Sequence, residues 1–227
     1  GIKILQEPQE PKGLIVKRRA RILGWPAAIG QAAFGVCSRF IDKASRAKQR
    51  QIYAELGLDP AAVTGEGVRQ VTSVNSPECR RVLQQMKPDV VAVYGTRILK
   101  PDTLAAVSAP FINYHAGITP KYRGQNGAYW ALRQRDPEHA GVTVHVVDRG
   151  VDTGAVLYQA VTPVARGDNI TTYQHRQMAA ALPLMIRAIE DALAGRLAPQ
   201  QVALPSKQWF HPTLPGYFWA GVTRGVW

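Results

Sequence analysis

Three short runs of β-branched and aliphatic residues limit most sharply what this chain can fold into. They are Asp89-Val90-Val91-Ala92-Val93-Tyr94-Gly95, Phe111-Ile112-Asn113-Tyr114-His115 and Gly141-Val142-Thr143-Val144-His145-Val146-Val147. Each is too short for a helix, and each is bounded by proline, glycine or polar residues. They read as strands, the first as a central one. The stretches around them carry helical spacing, and strands alternating with helices imply an α/β fold.

The helical signals are specific. Asn75-Ser76-Pro77-Glu78 predicts a helix start with Ser76 as cap and Pro77 at the first position, burying Val82, Leu83 and Met86. From Ser38 to Leu56, Phe40, Ile41, Ala44, Ala47, Ile52, Tyr53 and Leu56 recur at helical spacing, so one helix is expected, ending near Gly57. Shorter helices are expected over 101–107 and 126–135, and a further strand over 155–161. Ile170 to Leu197 reads as a long helix that Leu182-Pro183 interrupts or splits, because proline removes a backbone donor and crowds the preceding turn. Near the start, Ile2–Leu5 reads as a strand, followed by a proline-containing turn over 6–11. The basic run Lys17-Arg18-Arg19-Ala20-Arg21 comes next, broken at Leu23-Gly24-Trp25-Pro26. Val68, Val71 and Val74 suggest another strand.

A chain of 227 residues that is 46% hydrophobic holds the core of one domain, expected over 1–197. Residues 198–227 form an aromatic extension with Trp209, Phe210, Tyr217, Phe218, Trp219 and Trp227, expected to pack back on the domain or to make a homodimer contact. No run approaches the roughly 20 apolar residues of a transmembrane helix, and Gly1-Ile2-Lys3-Ile4-Leu5 lacks the plan of a secretion signal, so a cytoplasmic location is expected. Cys37 and Cys79 have no metal-like spacing and read as reduced thiols. The formal charge is +12, and residues 1–50 hold 11 Lys/Arg against 3 Asp/Glu. Such a basic surface suits a phosphorylated substrate, a nucleic acid or an anionic membrane surface, or is simply solvated.

Asn113 and His115 stand at i and i+2, so a strand points both side chains the same way. Polar groups at the C-terminal edge of a strand in an α/β sheet lie where ligands bind. The later loop Val147-Asp148-Arg149-Gly150-Val151-Asp152-Thr153-Gly154 places carboxylates at an equivalent position. Acyl transfer to an amine needs an oxyanion donor, a group that moves the amine proton and something to fix an imidazole. Asn113, His115 and Asp152 supply these. Two other readings stay open, that these are satisfied core polar groups and that His115, His145 and Asp152 hold a metal. There is no dinucleotide fingerprint, phosphate loop, Gly-x-Ser-x-Gly elbow or His-Glu-x-x-His motif.

The runs 111–115, Pro120-Lys121-Tyr122-Arg123-Gly124, 141–145 and Asp148 to Gly154 together resemble the folate-dependent formyltransferases. The resemblance covers roughly residues 65–165. It implies a Rossmann-like, open, mostly parallel sheet with helices on both faces, and 10-formyltetrahydrofolate as co-substrate. On this resemblance, Asn113 would hold the oxyanion, His115 would be the neighbouring electrostatic or proton-transfer group, and Asp152 would hold His115 or a water while relaying the amine proton. Arg97, Ile98 and Leu99 would line the pterin pocket, with Val147, Asp148, Arg149, Gly150 and Val151 on its other side. Gly117, Lys121, Tyr122, Arg123 and Gly124 would meet the acceptor.

Two departures from the family pattern stand out. Many relatives read His-Pro-Ser-Leu-Leu-Pro where this chain has His115-Ala116-Gly117-Ile118-Thr119-Pro120, so Gly117 replaces a serine hydroxyl with space or backbone groups. The strand, glycine-rich loop and helix that usually precede the counterpart of Ile2–Leu5 are not in this sequence. The expected acceptor is a small, anionic primary amine such as an amino-sugar nucleotide. Hydrolysis of the same donor is the alternative within the family. A non-catalytic protein that binds nucleic acid or a membrane surface is the alternative outside it.

Overall fold

The computed structural model describes residues 1–61 and 63–227. Its strands are β1 (Ile4–Gln6), β2 (Val68–Gln70), β3 (Val91–Val93), β4 (Phe111–His115), β5 (Arg123–Gly124), β6 (Gly141–Val146), β7 (Val156–Val161) and β8 (Gln208–Trp209). Its helices are α1 (Lys12–Leu23), α2 (Trp25–Ala44), α3 (Arg46–Leu56), α4 (Pro77–Met86), α5 (Pro101–Leu104), α6 (Gly127–Arg133), α7 (Tyr173–Leu193) and α8 (Leu214–Arg224).

The principal sheet has the order β3-β4-β6-β7. β3 and β4 are parallel, whereas β4–β6 and β6–β7 are antiparallel, so the sheet is mixed. Parallel pairing also joins β1 to β2 and β5 to β8. Read as a central strand, β3 instead spans three residues, is paired on one side, and has Ala92 exposed. Val93 belongs to an apolar cluster with Val71, Cys79, Leu83 and Phe111, against which Leu5 and Val91 pack.

Alternation along β4 assigns a helix to each face of the sheet. Phe111 joins the cluster that holds Cys79 and Leu83 of α4, while Ile112 and Val144 pack against Ala188 of α7. A third cluster gathers Phe34 of α2, Tyr129 of α6 and Tyr217 of α8. Trp209 packs against this third cluster, and β8 hydrogen-bonds β5, which seats the 198–227 segment on the body of the protein.

Local chemistry explains where the helices start and stop. Ser76 Oγ accepts from the Cys79 N–H at 3.1 Å, capping α4 at Pro77. Cys79, rather than Met86, completes the buried stripe with Val82 and Leu83. Gly57, at φ 64°, ends α3. The single helix expected over 38–56 is two: α2 begins at Trp25 and stops at Ala44, and a turn at Ser45 separates it from α3. Asn169 Nδ2 donates to Ser45 Oγ at 2.9 Å, tying this turn to the segment ahead of α7. Pro183 does not break α7, which runs unbroken through it. Pro183 is exposed, and Ala179, whose carbonyl loses its helical donor, is half-buried one turn away. No helix among the described residues is long and apolar enough to cross a membrane. Cys37 and Cys79 are both free thiols.

Candidate active site

β4 carries Asn113 and His115 on one face, and β6 sets His145 directly opposite Asn113 in the antiparallel register. Asn113 Nδ2 lies 3.1 Å from His145 Nε2, and His145 Nδ1 lies 2.9 Å from the Val146 carbonyl. A carbonyl only accepts, so the proton of His145 is on Nδ1, and Nε2 accepts one N–H of Asn113. The other N–H of that amide remains. The register between β6 and β7 slips at Val144/His145, an irregularity of the kind that re-aims side chains beside binding sites.

His115 is 6% exposed. Its Nε2 donates to the Tyr122 carbonyl at 2.8 Å, and its Nδ1 faces Asp152 Oδ2 at 3.3 Å. Burial pushes the His115 pKa down, against the opposing pull of Asp152 and the Tyr122 bond, so the neutral ring is favoured. Burial alone would raise the Asp152 carboxyl, but the charge that the His145 and His115 rings carry when protonated, together with the Gly124 N–H, outweighs it and holds the carboxyl below its ordinary range. Two acceptors, a ring lone pair and a carboxylate, therefore face each other with one proton position between them.

Asp152 is held by the loop opposite. It sits at φ 51°, a left-handed conformation that aspartate tolerates better than most residues. The Gly124 N–H donates to Asp152 Oδ2 at 2.9 Å, and Arg123 Nη1 donates to the Val151 carbonyl at 2.8 Å. Arg123 and Gly124 thus clamp the Asp152 loop. Of Gly117, Lys121, Tyr122, Arg123 and Gly124, the residues expected to meet the acceptor, Gly124 lines the cleft and the others make contacts within the protein. The Tyr122 hydroxyl and Lys121 Nζ each reach Asp136 Oδ2 at 2.6 Å. Gly117 packs against the His115–Tyr122 bond: a Cβ there would collide with the Tyr122 oxygen and lie 2.7 Å from His115 Nε2.

These groups open into a cleft of about 1270 Å³ over the C-terminal ends of β3 and β4. Arg97, Ile98 and Leu99 line it, as do Val147, Asp148, Gly150 and Val151, whereas Arg149 does not. The Arg97 head is tied to other residues of the cleft wall, its Nη2 donating to the Pro8 carbonyl at 2.8 Å, and its backbone N–H donates to Glu7 Oε1 at 2.8 Å. Leu99 is buried, and its backbone N–H and C=O have no protein partner among the described residues. Tyr94 and Tyr114 stack at the rim with ring centroids 5.6 Å apart. Helix α1 closes the far side with Lys12, Arg18 and Arg19.

Sequence reasoning placed His145 only in a metal site. In the structure its Nε2 is engaged by Asn113. Among the described residues, the group that gathers ligating atoms within 4.8 Å of one another is Asp136, Glu138 and His139, where Lys121 already supplies the cation. The alternation that exposed Asn113 and His115 also puts Thr143 and His145 on one face of β6, and this was the available signal. The α1 wall had no such signal, because a basic helix carries no mark of which surface it crosses.

A family model for formyl transferase matches residues 36–189. The chain is 32% identical over 151 residues to the methionyl-tRNA formyltransferase of Synechocystis sp. (strain ATCC 27184 / PCC 6803 / Kazusa), covering 63% of this chain and 45% of that protein. It is 29% identical over 168 residues to the same-named protein of Chlorobium chlorochromatii (strain CaD3), covering 73% and 53% respectively. The chain spans about half the length of these relatives. Its fold matches a sugar N-formyltransferase from Shewanella sp FDAARGOS_354 with a TM-score of 0.56 at 15% identity, over 92% of this chain and 76% of that one. It also matches the formyltransferase PseJ from Anoxybacillus kamchatkensis, solved with UDP-4,6-dideoxy-4-formamido-L-AltNAc and tetrahydrofolate. There the TM-score is 0.53 at 22% identity, over 63% of this chain and 73% of that one.

Proposed function

The chain belongs to the formyl transferase family, and from that premise we propose that it moves a formyl group from 10-formyltetrahydrofolate to a primary amine of a small anionic acceptor such as an amino-sugar nucleotide. The observation that carries this reading is the proton position between His115 Nδ1 and Asp152 Oδ2. An amine that attacks an acyl carbon must lose a proton, and two facing acceptors at the end of β4 are suited to take it.

The cleft walls fit a flat heterocycle. Ile98, Leu99, Val147 and Val151 offer apolar surface, and the unpaired backbone N–H and C=O of Leu99 offer one donor and one acceptor to a ring edge. The folate supplies an activated formyl group when bound. Asn113 then has one N–H committed to His145, which fixes the amide plane, and one N–H to donate to the oxygen of the formyl group as negative charge develops on it. His115 and Asp152 take the amine proton as the new C–N bond forms. The proton passes from this pair toward the departing folate nitrogen as the old C–N bond breaks, so no net proton is gained or lost. The basic α1 wall favours an anionic acceptor. The two free thiols, Cys37 and Cys79, favour a reducing compartment such as the cytoplasm.

The test is to follow loss of 10-formyltetrahydrofolate with and without amino-sugar nucleotides. Turnover that depends on the added amine supports the reading. Release of formate at the same rate without any amine points to a hydrolase instead.

A further inference from the structure

Arg19 is a cation of the cleft wall that has no carboxylate partner among the described residues. Its neighbour Arg18 is neutralised by Glu10 through two 2.9 Å hydrogen bonds. Arg19 has no carboxylate within 4.0 Å among the described residues, and its one hydrogen bond, from Nη2 to Gln125 Oε1 at 2.7 Å, goes to a neutral amide. The guanidinium is half-buried and lines the cleft, so it gives up part of its hydration without a protein anion in return. Burial, helped by Arg18, accordingly lowers its pKa.

The position of Arg19 relates it to the reaction centre. Gln125 follows Gly124, whose N–H holds Asp152 at 2.9 Å, so the Arg19 head is anchored one residue from the catalytic clamp. The Gln125 contact orients the planar fork and leaves its remaining donors without a protein partner among the described residues, in a side chain that lines the cleft. Lys12, on the same helix, lines the same wall and also lacks a carboxylate within 4.0 Å among the described residues. Arg19 lies outside residues 36–189, the range that the family model matches.

We propose that Arg19 anchors a phosphoryl oxyanion of the amine acceptor, presenting the amine to Asp152 from the α1 side of the cleft. The proposal rests on the formyl-transfer reading, since it places that reaction's acceptor. A phosphoryl group matches a fixed fork of N–H donors through several oxygens at once, and its double charge suits a wall that also carries Lys12.

The test is titration calorimetry of the intact protein with inorganic pyrophosphate, comparing wild type, Arg19→Gln, Arg19→Lys and Arg21→Gln, with folinic acid titrated into the same samples. Arg19→Gln is expected to weaken pyrophosphate binding by about tenfold or more, the loss of one charge-assisted hydrogen bond, and to keep folinic acid binding. Arg19→Lys falls between, because it retains charge without the fork. Arg21→Gln, with the same change of net charge away from the cleft, binds like wild type. Should Arg19→Gln lose both ligands, Arg19→Lys decides: weakened pyrophosphate binding with intact folinic acid binding supports the site. Pyrophosphate binding that is absent in wild type, unchanged in Arg19→Gln and Arg19→Lys, or equally reduced in Arg21→Gln overturns the assignment, as does equally tight binding of malonate. If no sample binds folinic acid while pyrophosphate binding still depends on Arg19, the formyl-transfer reading fails and the anion site stands.

Discussion

His115 meets Asp152 through the ring nitrogen that carries no proton: Nε2 is committed as donor to the Tyr122 carbonyl at 2.8 Å, which leaves Nδ1 bare at 3.3 Å from Asp152 Oδ2. In a hydrolytic triad the carboxylate orients the histidine. Here the Tyr122 backbone orients the histidine, and the Gly124 backbone orients the carboxylate. The two groups are positioned independently, and what lies between them is a place for a proton.

Asp152→Asn removes the charge but keeps an oxygen for the Gly124 N–H. Formyl transfer is expected to fall by about 10²- to 10⁴-fold in kcat, with folinic acid affinity and thermal midpoint little changed. Steady-state kinetics together with a thermal melt check this. Turnover within a few-fold of wild type contradicts the assignment of the proton to this pair.

The pH profile carries the sign of the His115 shift. Burial lowers the His115 pKa, so the ring stays neutral and ready to accept a proton to below its ordinary value of about 6.5. The acid limb of kcat should therefore have its midpoint below about pH 6.5. A midpoint above that value would show an imidazolium stabilised by Asp152 instead.

Asn113→Ala deletes both N–H groups, the one on His145 and the one left for the oxyanion. The expected loss is about 10²- to 10³-fold in kcat with a small effect on KM. A change confined to KM would place Asn113 in ground-state binding.

Much of this arrangement was legible in the sequence, for reasons that differ by element. β4 matches its predicted limits and β6 and β7 fall within one residue of theirs, because β-branched runs bounded by proline or glycine have few alternatives. The Ser76 cap and the Gly57 stop depend on local backbone chemistry and were visible for that reason. The turn at Ser45 is hydrogen-bonded to Asn169, 124 positions away, and the two-residue pairing of β5 with β8 depends on register between remote segments. In the site, the convergence of Asn113, His115 and Asp152 follows from strand ends and a loop. Gly117 and Tyr122, expected to meet the acceptor, also pack against and hydrogen-bond His115. A loop's composition does not say whether its polar groups turn outward to a ligand or inward to a neighbour.

Gly117→Ala tests that inward role. Its Cβ collides with the Tyr122 oxygen, so a loss of about 1–3 kcal/mol of stability is expected, with activity lost as the His115–Tyr122 bond is displaced. Gly35→Ala, in α2 with no atom within 4 Å of the added carbon, should be neutral or stabilising by about 0.5–1 kcal/mol. Denaturant unfolding of the two variants gives the comparison, and equal effects would contradict it.

His211 adds a pH dependence to stability. Burial, with Arg19 nearby, lowers its pKa to about 4, and Asn126 Nδ2 donates to its Nδ1 at 2.8 Å. The unfolded chain binds a proton on this ring below about pH 6.5, while the folded protein resists it. The neutral ring's contribution is thus present above about pH 6.5, falls as pH drops from there toward 4, and is lost below that. His211→Asn should flatten the fall in thermal midpoint across this window. An unchanged slope would assign the acid sensitivity to other groups.

The central claim is that the Asn113, His115 and Asp152 constellation transfers a formyl group to an amine. Its most direct test is to incubate the protein with 10-formyltetrahydrofolate and a cell-derived pool of phosphorylated amines, then search by mass for products heavier by one formyl group. The account predicts an acceptor-dependent product with wild type that disappears with Asp152→Asn. Absence of any formylated amine with wild type, or its undiminished appearance with Asp152→Asn, would contradict it.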